Sequence, residues 1–216
     1  MKVLSLLLFA LMVAPIAGAM PIAGLYSTGM NVSGGVDQSW SLAGGTAYVT
    51  QGGQFPLSGE WAANDASSTW ISPQTSYVGA GGSLLSDALN TTYVYTLSFD
   101  LTGYDSDTAW FTYQLAGDNT VQGVTLNGNS IPGGAGGAWS GSALSSIFTA
   151  DSGFLPGVNT LSVSVLNTDA PYGNPSGFRL NFVDSNVDMG QVPEPATFAL
   201  VGLALLALPL IRRSSH

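Results

Sequence analysis

Hydrophobic and polar residues alternate with a period of two along several short stretches of this chain, the pattern of strands with one buried face. The clearest stretch is 92–101. Tyr93, Tyr95, Leu97, Phe99 and Leu101 point one way, and Thr92, Val94, Thr96, Ser98 and Asp100 point the other. Residues 108–115 follow the same rule, with Ala109, Phe111, Tyr113 and Leu115 on one face and Trp110, Thr112 and Gln114 opposite. Residues 121–126 form a third strand. Residues 160–166 direct Leu161, Val163 and Val165 inward. Residues 177–184 direct Phe178, Leu180 and Phe182 inward and Arg179 and Asn181 outward. Weaker strands are read at 46–50, 60–62 and 68–72. No stretch keeps helical apolar spacing over three turns.

Turn chemistry punctuates these runs. Asn127-Gly128 is a hairpin signal. Asp118-Asn119 suits a turn because both side chains bond the local backbone, and Pro156-Gly157 turns the chain before the strand at 160. Two stretches stand apart. Residues 131–141 are glycine-rich and read as a loop that carries Trp139. Residues 142–149 read either as a short helix capped by Ser142 or as a strand. Eight or more short strands with turns between them predict an all-β fold, in which two antiparallel sheets bury their apolar faces against each other as a sandwich.

The two ends break this pattern. Lys2 precedes a wholly different run, VLSLLLFALMVA at 3–14, followed by Pro15 and the small residues Ala17 and Ala19. Basic, apolar and small segments in that order are a signal helix, with cleavage by signal peptidase after Ala19. At the other end, Val192-Pro193-Glu194-Pro195 precedes an apolar run at 196–211 and then Arg212-Arg213. As a helix that run is about 24 Å long. Arg side chains that reach the interface extend it to a membrane span. The paired arginines stay in the cytoplasm, which places the rest of the chain outside it. The organisation is therefore a signal peptide at 1–19, a body at 20–191 and a tail at 192–216.

Val192-Pro193-Glu194-Pro195, the hydrophobic helix and the basic end together resemble the PEP-CTERM sorting signal of secreted proteins in Gram-negative bacteria that make exopolysaccharide. The resemblance implies recognition by an exosortase. That enzyme would cut near the motif and pass the protein to an envelope or matrix acceptor. In the body, Asp118-Asn119, Val124-Thr-Leu126-Asn127-Gly128, Pro156-Gly157-Val158-Asn159 and Asn174-Pro175-Ser176-Gly177 follow an order similar to the galactose-binding-like jelly roll. That likeness spans about residues 93–184 and implies the fold more than a function, because such folds host many functions.

Composition narrows the chemistry. Charged residues are 8% of the 216, with 4 bases and 13 acids. Arg179 is the only base between the two ends, against every acid but Glu194. Such a surface repels phosphate, which argues against nucleic acid as a partner. Cys is absent and the one His is His216, so neither a thiol nucleophile nor a Ser-His-Asp triad is available to the body.

Sugar contact needs an aromatic platform beside hydrogen-bonding groups. Trp110 shares a strand face with Thr112 and Gln114, where it either packs under the glycine-rich loop or stands exposed as a platform, and Trp139 lies in that loop, so these four are the carbohydrate-contact candidates; Trp61 and Trp70 are read as core. Asp105 and Asp107, with Asp100 and Asp118 near in sequence, are candidates for a structural calcium, against the plainer reading of solvated turn carboxylates. Glycoside hydrolysis needs two facing carboxyls, and no spacing among Glu60 and the aspartates singles out a pair. The reading that follows is a secreted, exosortase-sorted, non-catalytic envelope or exopolysaccharide-matrix protein, structural or carbohydrate-contacting. A polysaccharide hydrolase using paired carboxylates and a self-associating matrix protein are its alternatives.

Overall fold

The computed structural model describes residues 18–50, 61–80, 83, 85–134, 137–138, 143–168 and 174–190. The signal segment to Ala17, Glu60, Trp139, the sorting motif, the apolar run at 196–211 and Arg212-Arg213 lie outside the described residues. The described chain is all-β. Its strands are β1 (Val32–Ser33), β2 (Val36–Leu42), β3 (Gly45–Val49), β4 (Ile71–Ser72), β5 (Thr91–Asp100), β6 (Tyr104–Asp118), β7 (Thr120–Leu126), β8 (Asn129–Ser130), β9 (Gly137–Ala138), β10 (Phe148–Ala150), β11 (Val158–Asn167) and β12 (Gly177–Met189).

The five strong period-two runs are β5, β6, β7, β11 and β12. The predicted turns lie where their chemistry puts them. Asn127 and Gly128 both take positive φ, 53° and 82°, and join β7 to β8. This is the mirror-image turn whose twist suits paired strands. Gly157, at φ 85°, turns the chain into β11. The stretch at 142–149 resolves in favour of a strand at its end: β10 pairs with β6. Of the weaker runs, 46–50 is β3, while 68–72 keeps only Ile71–Ser72 and Trp61–Ala62 is not a strand.

The hydrogen bonding departs from the expected pair of sheets. All strands join one antiparallel sheet, in the order β10-β6-β12-β4-β3-β2-β5-β11-β7-β8, with β1 beside β2 and β9 beside β7. The sheet curls. Tyr95 of β5 meets Phe178 of β12 at 5.2 Å between ring centroids, and Phe99 of β5 meets Phe111 of β6 at 6.5 Å. β5 and β12 are separated by β4, β3 and β2 in the sheet, so such contacts require one arm to fold over the other. The physical cause is that each arm has one apolar face and no other partner to bury it against. β4, β3 and β2 lie between the two arms in the sheet. The core between the arms is aromatic-rich, with Trp40, Tyr95, Phe111, Tyr113 and Phe178 at most 1% exposed.

A second small core lies outside the curl. Trp61 and Trp70 stack at 4.2 Å and pack on Ala116, on the outward face of β6, with Leu144 beside them. Their indole N–H groups donate to Asp118 Oδ2 at 2.9 Å and to the Ala62 carbonyl at 2.8 Å. The expected core role of both rings is therefore met by a loop, not by strands. Gly177 has to lack a side chain here, since a Cβ would collide with the Trp61 ring.

Arg179 also differs from expectation. It points outward from β12 as its period predicts, yet it is 1% exposed because the 61–70 loop covers it. Its Nε donates to Ser68 Oγ at 2.8 Å, its Nη1 to the Ala63 carbonyl and its Nη2 to Asp65 Oδ2 at 2.6 Å. The buried guanidinium is thus fully engaged, as a buried charge must be.

Hydrogen bonds to Asp65, first from the Ser67 side chain and then from Ser67 N, Arg179 and Ser68 N, outweigh partial desolvation and hold its carboxyl well below the usual value near 3.8. A lowered folded-state pKa stabilises the fold above the unfolded value and is lost as pH falls through the folded one. Asp65→Asn is therefore expected to flatten the acid side of the stability profile. The check is the thermal midpoint of both proteins from about pH 5 down to about pH 2.5. Equal slopes would refute the clamp.

Candidate functional site

The outward face of the β10–β6–β12 arm carries the predicted sugar-contact residues. Register sets its rows. Ala116 of β6 lies opposite Arg179 of β12, Gln114 opposite Asn181, Thr112 between Thr149 of β10 and Asp184, and Trp110 opposite Asn186. The first row is covered by the tryptophan loop. Below it the face opens: Trp110, Thr112, Gln114, Asn181 and Asn186 are half-buried, while Thr149 and Asp184 are exposed.

Trp110 was open to two readings, a surface platform or a ring packed under the glycine-rich loop. The described part of that loop, residues 131–134, packs on the inward face. Tyr113 OH donates to the Pro132 carbonyl, and Gly133 lies against Phe148, Tyr113 and Leu115. Those side chains belong to the inward face, so residues 131–134 sit on the side of the sheet away from Trp110. Trp110 also takes part in none of the ring contacts among the described residues of the core.

Gln114 is partly committed, since its Nε2 donates to the Ser145 carbonyl at 2.8 Å. Trp139 lies outside the described residues. Thr149, Asn181, Asp184 and Asn186 join the face without having been singled out as contact residues from the sequence. Asn181 had the right parity in its strand. Asp184 and Asn186 lie past an irregularity between Phe182 and Asp184, where counting by twos fails. One extra residue at a bulge re-aims everything after it.

The calcium candidates take a different place from the turn expected for them. Asp105 and Asp107 lie within β6, and the turn is Thr102-Gly103, with Gly103 at φ 87°. Asp105 Oδ1 accepts the Asp107 N–H at 3.2 Å, and Asp100 Oδ1 accepts the Thr102 N–H and hydroxyl. Among the described residues no three acids or histidines converge as a metal site would need. The three buried carboxylates among the described residues, Asp37, Asp87 and Asp118, are engaged in structural hydrogen bonds.

The chain enters and leaves at one pole. Met20, the residue after Ala19, exchanges backbone hydrogen bonds with Val187 at 3.0 and 2.8 Å, and Gly190 N donates to the Gly103 carbonyl at 2.9 Å. Ala19 itself is exposed. The predicted signal-cleavage junction and the exit toward the tail are therefore neighbours on β12. The tail that follows is decided by comparison with known sequences. Residues 191–214 match the PEP-CTERM protein-sorting motif. No curated protein and no solved structure matches the chain. The PEP-CTERM match begins directly after Gly190, the last described residue. The motif implies export, transient membrane anchoring and processing by an exosortase.

Proposed function

We propose that this is an exported, exosortase-sorted and non-catalytic component of the cell envelope or the exopolysaccharide matrix, whose body contacts carbohydrate. The observation that carries the reading is the PEP-CTERM match at 191–214. The order of the turn motifs supports a jelly-roll body of the galactose-binding-like kind. The polar face around Trp110 supports sugar contact, because a half-buried indole offers an apolar surface while its neighbours offer hydrogen bonds. The engagement of Asp87 and Asp118 in structural hydrogen bonds supports a non-catalytic role.

Mass spectrometry of the termini of the mature protein tests the sorting step. The expected product starts at Met20 and ends near the motif, attached to its acceptor. Replacing Pro193, Glu194 and Pro195 by alanine should leave the tail through His216 on the protein and keep it in the membrane fraction. Normal C-terminal processing of that variant would overturn the reading.

A further inference from the structure

We infer that the open part of the β10–β6–β12 face is a glycan-binding strip for polysaccharides that carry no carboxylate or sulfate, with Trp110 as its stacking platform and Thr112, Thr149, Asn181, Asp184 and Asn186 as its polar contacts. The inference rests on the carbohydrate-contact reading above and adds the site and the charge class of the ligand.

The bulge at Val183 makes the strip. It interrupts the β6–β12 register between Phe182 and Asp184. Uninterrupted alternation from Asn181 would turn Val183 and Ser185 outward. With the bulge, Asp184 and Asn186 face outward beside Thr112 and Trp110, and Ser185 instead accepts the Ile22 N–H at 3.0 Å. Successive outward residues on one strand are about 7 Å apart and neighbouring strands about 4.8 Å, a mesh on the scale of a sugar ring. The polar groups are amides, hydroxyls and a carboxylate, the types that pair with sugar hydroxyls.

Charge selects the ligand. Arg179 is the only base among the described residues, and it is buried and held by Asp65. Asp184 is an exposed member of the strip, and Asp105, Asp107, Asp151 and Asp188 belong to the same arm or the residue after it. A uronate or sulfated chain would meet Asp184 and, among the described residues, no free cationic side chain. Neutral sugars meet no such penalty, and an amine-bearing sugar gains attraction to Asp184 and to the Trp110 ring face. The strip runs along β6 and β12 away from the pole of Gly103 and Gly190. Trp110 stands about 20 Å along β6 from its start.

The test is calorimetric titration of the full chain in detergent with three probes: a soluble neutral β-glucan, chitosan oligosaccharides and polygalacturonate. Binding to the first or second and none to the third is expected. Trp110→Ala should weaken it about tenfold or more, about 1.4 kcal/mol, and Trp110→Phe should retain most of it. Asp184→Lys should admit polygalacturonate. Circular dichroism confirms that each variant is folded. Polygalacturonate binding as tightly as the neutral glucan would overturn the charge class and leave the carbohydrate reading standing. Binding unchanged in Trp110→Ala would overturn the site alone. Binding to none of the three would overturn the carbohydrate reading itself.

Discussion

Phe111→Ala is expected to lower the unfolding free energy by about 3–5 kcal/mol, a large share of the about 5–15 kcal/mol of an ordinary domain. Phe111 is fully buried, and its ring lies 5.3 Å from Phe182, 5.5 Å from Tyr113, 5.6 Å from Phe154 and 6.5 Å from Phe99. Phe99 belongs to the opposite arm, so this ring helps to hold the curl closed. Alanine would leave a cavity flanked by four aromatic rings that cannot all move to fill it. Thr112→Ala, one residue away on the outward face, should change stability by no more than about 0.5 kcal/mol. Urea unfolding of the two variants measures the contrast. A Phe111 variant within about 1 kcal/mol of the parent would mean that the arms do not depend on this contact.

Asp87→Ala is expected to cost about 3 kcal/mol. Asp87 is buried at the pole opposite the tail, between the loop after β4 and the approach to β12. Its Oδ1 accepts Gln74 Nε2 at 2.7 Å; its Oδ2 accepts Ser176 N at 2.6 Å and the Tyr77 hydroxyl. Tyr77 OH also reaches the Ser176 carbonyl at 2.8 Å. Alanine keeps these donors buried and removes their acceptor. Each unpaired buried donor costs about 1–3 kcal/mol, and Tyr77 recovers part through Ser176.

The same group has a pH signature opposite to that of Asp65. Burial pushes the Asp87 carboxyl above its usual value, against the three bonds donated to it. The folded state then binds its proton more tightly than the unfolded state. This contribution is complete below the unfolded value and fades as pH rises through the raised folded one. The stability difference between the parent and Asp87→Ala should therefore be largest in acid and shrink toward neutral pH. A difference that grows with pH would contradict the burial argument.

The faces of β5, β6 and β11 were readable because period-two alternation is a local property and each has one face in the core. β2 was not. Its buried residues are Asp37, Trp40 and Leu42. Asp37 turns the chain locally, its Oδ1 accepting from Ser39 N and Trp40 N and its Oδ2 from Gly29 N at 2.6 Å. That turn breaks the alternation, and the carboxylate pairs with a residue outside the strand. Trp61 and Trp70 read correctly as buried, but nothing near them in sequence says that they cap the outer face of β6. Arg179 read as outward, and only the distant loop that folds over it makes it buried.

By itself the sequence determined what depends on neighbours along the chain: which side chains share a strand face, where Asn127-Gly128 and Pro156-Gly157 turn, and the two linear addresses at the ends. Tertiary structure alone decided that the strands form one curled sheet and that Met20 meets Val187. It also decided that one outward face is closed over Ala116 and open at Trp110. Burial of an outward position depends on which remote segment arrives to cover it, and the free energy of that arrival is shared among residues that local pattern does not connect.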